Sequence, residues 1–172
     1  MKVKRLGVLA FLVLLIIGAT VVAGCAGGGA KETPTASHFE VNGISFDYPS
    51  TWKTLKSDDP MRIAYLSEVS TNTMLQVIKE TVTGFTLKTY HDNYAIQLMV
   101  GNPISGRSLT VAGLDAYEGV WNMKQGTTDY RVRQISIAKD GVFYMIFCST
   151  APSSFDKVNK DFDTVINSFK VQ

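Results

Sequence analysis

His38 and His91 are the only imidazoles in the 172-residue chain, so they are the first candidates for acid–base or metal chemistry. His91 stands beside Asp92 in "YHDN". A metal-dependent hydrolase needs several more histidines and aspartates around such a pair, and adjacent helix residues diverge instead of facing one another. The principal reading of His91 is therefore the flank of a buried helical stripe. A small hydrolase, or a solute-binding cleft near His91, is the alternative. His38 sits where a polar segment ends, a poor place for fixed catalytic geometry. Asp58 and Asp59 in "SDDP" could join Glu68 around calcium, but the loop spacing of a calcium site is absent, and a solvated turn accounts for them. Ser153 and Ser154 precede a helix with no nucleophile elbow around them. One cysteine and two histidines cannot close a four-ligand zinc site. These residues imply no enzyme, no metal and no cofactor.

The aromatic residues are the other candidates. Tyr117 and Trp121 share one face of an expected strand, and Tyr130 begins the next. Exposed, they would form a partner or ligand patch, because Tyr and Trp dominate binding hot spots. Buried, they are core under a helix, which ordinary burial tendencies favour.

Cys25 is different. The chain opens "MKVKR" and continues with the uncharged run Leu6 to Val22. A basic start, an apolar run and small residues make a secretory signal. "VAGC", Val22 to Cys25, resembles the lipobox of prokaryotic lipoproteins. That resemblance implies cleavage after residue 24, lipid on the Cys25 thiol and attachment to the membrane through it. An uncleaved membrane anchor is the competing reading. The run is roughly 25 Å long as a helix, short for a span. Either way the basic end stays in the cytoplasm and the remainder faces outward. A buried core helix fits poorly, because the run has no polar face.

The formal charge of +2 belongs largely to that leader. Without Lys2, Lys4 and Arg5, 14 basic residues face 15 acidic ones. No basic stripe remains to displace counterions, so no nucleic-acid role is expected. Cys148 in "VFYMIFCST" reads as a buried, inert thiol. Residues 25–38 read as the lipidated cysteine and a flexible tether rich in Gly, Pro and hydroxyl residues. Residues 39–172 suffice for one domain.

Within that domain, alternation marks the strands. Ile44, Phe46 and Tyr48 alternate with polar neighbours after Asn42-Gly43, a tight-turn dipeptide. "TWKTL", "MRIAYL" and "MLQVIKE" are further strands. "TLKTYHDNYAIQLM" changes to helical spacing, with Leu87, Tyr90, Tyr94 and Leu98 on one stripe, Thr86 as cap and Gly101 to Pro103 as stop. Two more hairpins follow, turning at Ala112-Gly113 and Asp140-Gly141. Val142 to Cys148 is apolar on both faces, the mark of a central strand covered on both sides. Phe155, Val158, Phe162, Val165, Ile166 and Phe169 make the stripe of a last helix, with Ser153 and Asp156 spaced as a capping box. The expected class is α+β: an antiparallel β-sheet covered by helices on both faces.

"GISFDYPSTW" (Gly43 to Trp52), "GRSLTVAGLDAYE" (Gly106 to Glu118) and "FDTVINSF" (Phe162 to Phe169) resemble PsbP-like domains, the group that includes DcrB-like envelope lipoproteins. The resemblance implies an α/β/α sandwich and binding or accessory roles instead of catalysis. No motif here marks a photosystem partner. The resulting expectation is a non-catalytic module held at the extracytoplasmic membrane face, supporting an unidentified envelope protein partner.

Overall fold

The computed structural model describes residues 36–98 and 103–172. Cys25, the run Leu6 to Val22, the segment up to Thr35 and the helix stop at Gly101 and Asn102 lie outside the described residues. The order of elements is β1 (Ala36–Val41), β2 (Ile44–Pro49), β3 (Lys53–Thr54), β4 (Arg62–Glu68), β5 (Thr73–Thr81), α1 (Leu87–Leu98), β6 (Pro103–Val111), β7 (Leu114–Gln125), β8 (Thr128–Lys139), β9 (Val142–Thr150), α2 (Phe155–Ser168) and β10 (Lys170–Val171). All strand pairings are antiparallel. One sheet has seven strands in the order β3-β4-β5-β9-β8-β7-β6, and a second has three in the order β1-β2-β10.

The meander β6 to β9 follows from its turns. Asp140 and Gly141 both take positive φ, as do Ala112 and Gly113. A two-residue turn of that hand matches the twist of the flanking strands. β9 lies at the heart of the large sheet. Its Tyr144, Ile146 and Cys148 enter the main core with Leu75, Val77, Ile135 and Ile137. Its Phe143 and Met145 join Ile78 and Tyr90, and Phe147 joins Val132. The main core also takes Phe155, Val158, Phe162, Val165, Ile166 and Phe169 of the last helix and its end.

Four local expectations change. First, the sheet is not single: β1, β2 and β10 form a small sheet whose Phe39, Ile44 and Phe46 enter the same core as α2. One face of the large sheet is thus served by a helix together with strands. β10 escapes a periodicity reading because two residues cannot show alternation; pairing of Lys170 with Ser45 and Val171 with Ile44 creates it. Second, residues 36–38, read as tether, are paired in β1 opposite Pro49, Tyr48 and Asp47. Third, "TWKTL" keeps only Lys53 and Thr54 as strand, because Trp52 turns inward to meet Phe162 edge-on at 5.9 Å. Fourth, no side chain caps α2; Pro152 to Ser154 form a single 3-10 turn instead. At α1, by contrast, Thr86 and Thr89 cap reciprocally: Thr89 N–H donates to Thr86 Oγ1 at 3.2 Å, and Thr86 N–H to Thr89 Oγ1 at 2.9 Å.

The acidic candidates serve local turns. Asp59 Oδ1 accepts from Met61 N–H at 3.0 Å. Glu68 closes the β4–β5 turn, accepting from Ser70 N–H at 2.9 Å and from Thr71 N–H at 2.8 Å, with the Thr71 hydroxyl as a further donor. Burial works against the Glu68 charge, but the donors of Thr71 and Ser70 outweigh it and bring the carboxyl from 4.5 down to about 2. A lowered folded value means that this turn is fully supported above pH 4.5 and loses that support as pH falls toward 2. The amide signals of Ser70 and Thr71 should therefore titrate in NMR with a midpoint near 2. A midpoint at the ordinary carboxylate value would show that the bonds are not formed.

Among the described residues, no helix is long and apolar enough to cross a membrane.

Candidate functional site

The first turns of α1 pack against β7 and β8. Tyr90 stacks on Phe143 of β9 with ring centroids 4.3 Å apart. His91 follows it into the protein and is 0% exposed. The sheet side of this contact is built by register. Tyr117, Gly119 and Trp121 of β7 lie opposite Ser136, Gln134 and Val132 of β8. Alternation puts these six positions on one face.

Into that face the imidazole fits edge-on to Tyr117, centroids 4.8 Å apart, and tilted against Trp121 at 6.1 Å. Nδ1 shares a hydrogen bond with Ser136 Oγ at 3.0 Å. Gln134 Nε2–H donates to the His91 carbonyl at 3.4 Å and to Ser136 Oγ at 3.4 Å. Gly119 makes the fit possible. A Cβ there would stand 2.6 Å from His91 Nε2 and 2.6 Å from Trp121 Nε1, closer than such atoms approach. Three polar atoms of this cluster, His91 Nε2, Trp121 Nε1 and Gln134 Oε1, are buried without a hydrogen-bond partner among the described residues.

Burial drives the His91 pKa down from 6.5 to about 4, with Asp92 pulling upward and Lys88 downward. The ring is neutral at pH 7 and sealed from solvent. A sealed group of that basicity is a weak general base, since catalytic efficiency wants a value near the working pH and access to the substrate. Asp92 points to other business: its Oδ2 accepts from Lys88 Nζ at 2.6 Å in an exposed pair. Lys88 in turn lies over the Tyr117 ring, 5.4 Å from its centroid. The side chains of Tyr94 and Leu98, expected on the same stripe, lie outside the described residues.

The structure brings Tyr117 and Trp121 together around His91, and both are half-buried. Tyr130 is set apart from them. It is buried, and its hydroxyl accepts from Asn72 Nδ2 at 3.3 Å. It also lines an open groove of about 410 Å³ with Met123, Lys124, Asp129 and Pro152. A second open groove, about 400 Å³, runs between β1 and β4, with Val41 and Leu55 as its exposed apolar residues. His38, on exposed β1, pairs its Nδ1 with Asp47 Oδ1 at 2.6 Å. Cys148 is fully buried, and burial pushes its thiol pKa upward, so it stays protonated. Among the described residues, no group of three or more His, Cys, Asp and Glu could hold a metal ion.

One polar cluster was not anticipated. On the opposite face of β7 and β8, Arg133 Nε donates to Glu118 Oε1 at 2.6 Å. Arg133 Nη1 donates to Asp163 Oδ1 at 2.6 Å and Asn159 Oδ1 at 3.0 Å, both on α2. Arg107 binds the other Glu118 oxygen. A signal was present: Glu118 alternates with Ala116 and Val120 on the apolar side of its strand.

A family model described as PsbP-like protein matches residues 29–171. The chain belongs to the PsbP-like family. Solved structures agree on the PsbP-like fold. The cyanobacterial PsbP of Synechocystis sp. PCC 6803 aligns with a TM-score of 0.61 and 19% identity over 86% of this chain and 98% of that one. LpqN of Mycobacterium tuberculosis, described as involved in cell envelope biogenesis, aligns with a TM-score of 0.62 and 11% identity over 81% and 91%. At such identities the likeness speaks to fold. A search of curated proteins gives no match. The PsbP-like fold here consists mostly of antiparallel sheet with two helices, which is how it positions His91, Tyr117 and Trp121.

Proposed function

We propose that this PsbP-like protein is a lipid-anchored, extracytoplasmic binding or accessory module without catalysis, supporting an envelope protein complex. Residues 1–24 act as the signal peptide, Cys25 carries the lipid, and a tether leads to the domain, whose helices give it an α/β/α layering. The observation that carries the reading is a juxtaposition. A PsbP-like match that begins at residue 29 lies directly behind an apolar run ending in "VAGC". Two acyl chains give stable anchoring where one gives only marginal binding.

The site geometry supports binding over chemistry. His91 is spent on packing, whereas Tyr117 and Trp121 keep part of their rings exposed beside it. Amphipathic aromatic rings of this kind are suited to contact with a partner. LpqN, with a similar fold, is described by a role in the cell envelope, which is consistent with work in that compartment.

Intact mass of the membrane-extracted protein tests the anchor. The expected product starts at Cys25 and carries acyl mass, and Cys25→Ala loses both the lipid and this processing. An unmodified Cys25 still joined to Met1 would overturn the anchor. Crosslinking in intact cells should trap an envelope protein, with Tyr117→Ala/Trp121→Ala reducing the yield. Repeated recovery of the protein alone would count against the accessory role.

A further inference from the structure

We propose that His91 is an acid-released latch for α1: the neutral imidazole, seated on Gly119, holds the helix to β7 and β8, and protonation frees it. The latch belongs to the folded domain and stands whether or not Cys25 carries lipid.

The argument begins with hydrogen-bonding capacity. A serine hydroxyl both donates and accepts, so Ser136 can satisfy Nδ1 in either protonation state. Nε2 has no such freedom. The polar atom beside it over Gly119 is Trp121 Nε1, which can only donate. With Nε2 unprotonated, its lone pair shares the notch with an N–H donor, a compatible arrangement. With Nε2 protonated, two donors share the notch and neither has an acceptor.

The charge finds no counterion there. Of the described groups around the ring, β7 contributes Tyr117 and Trp121, and β8 contributes Gln134 and Ser136, none of them anionic. On α1 itself, Asp92 and Lys88 act on His91 in opposite directions and are bonded to each other at the surface. An imidazolium in this seat is a buried charge without a partner, a state that proteins avoid by moving the group to water. The lowered His91 value of about 4 expresses the same penalty.

The described part of the helix is lightly held, with half-buried Leu87 packed beside Tyr90. Among its described side chains, Tyr90 and His91 alone are buried. Release would uncover the Phe143 ring and the Gly119 notch while α2 and the small sheet keep the main core closed. The sign follows from linkage. The undocked helix has an ordinary histidine and the docked one a depressed value, so the undocked form binds more protons between 6.5 and about 4. Docking is at full strength above that window and weakens as pH falls through it.

Amide hydrogen exchange on the full chain in detergent, corrected for intrinsic rates, reads this directly. Between pH 7 and about 4.5, protection of the Tyr90 to Asn93 amides should fall about tenfold or more while β9 amides keep theirs. Gly119→Ala, which fills the seat, should give the same selective loss already at pH 7. If α1 and β9 lose protection together, or α1 keeps it at both values, the latch is overturned. Should Gly119→Ala fail to fold, His91→Asn decides. Its α1 protection should be the same at both pH values, and a fall that persists in it overturns the proposal.

Discussion

Phe162→Ala should lower the unfolding free energy by about 3–5 kcal/mol, the usual range for deleting a buried phenylalanine ring. Phe162 is 0% exposed in the middle of α2. It packs edge-on to Trp52 at 5.9 Å, in a core shared by both sheets. Two terms add: the lost transfer of the ring from water, and a cavity that neither sheet can close without breaking its own pairing. For a domain of this size the fall in Tm should be roughly 10–20 °C. Native stability is commonly about 5–15 kcal/mol, so the variant stands near the edge of folding. Urea denaturation checks it. A change below about 1 kcal/mol would mean that α2 is not docked as described.

Glu118→Ala should cost a similar amount, about 3–5 kcal/mol, for an electrostatic reason. The side chains of Glu118 and Arg133 are each 8% exposed. Burial by itself favours loss of the Arg133 proton, but Asp163 and Glu118 more than offset this and raise its pKa, so it is a permanent cation. Removing Glu118 leaves that cation with Asp163 and Asn159 on one side and nothing on the other. Arg107→Ala is the control. Its side chain is 66% exposed, and an exposed partner is worth about 1 kcal/mol or less. Glu118→Leu/Arg133→Met should recover part of the loss, because well-packed apolar replacements of a buried pair are often neutral. Equal effects of Glu118→Ala and Arg107→Ala in urea titrations would contradict this account.

Both experiments probe how α2 is held, and the latch probes how α1 is held. The two helices are attached differently. α2 brings an apolar stripe of five buried side chains to the sheets, and its half-exposed Asp163 pairs with buried Arg133. Among its described side chains, α1 brings the Tyr90 stack, half-buried Leu87 beside it and one neutral histidine. The seat of His91 depends on a proton; the apolar stripe of α2 does not. This makes α1 the element by which a solvent-facing PsbP-like domain can respond to acidity without unfolding.

By itself the sequence determined what local physics controls. Turn dipeptides with positive φ located the Asn42-Gly43, Ala112-Gly113 and Asp140-Gly141 hairpins. Alternation located β2, β4 and β5, an apolar run on both faces after Asp140-Gly141 located β9, and three- and four-residue spacing located both helices. The stripe from Phe155 to Phe169 named the core of α2 because an amphipathic helix has one place to bury it. The family was legible in turn and core residues at three separated stretches. Only the tertiary structure decided the second sheet, because β10 exists solely by pairing with β2, whose partner residues stand 125 and 127 positions away in the chain. It alone joined Arg133 to Glu118 and Asp163, and it alone seated His91 on Gly119, 28 positions away in sequence. Such contacts leave no period to read. They arise when strand register and helix docking bring unlike residues within hydrogen-bond reach, and that geometry is a property of the packed chain.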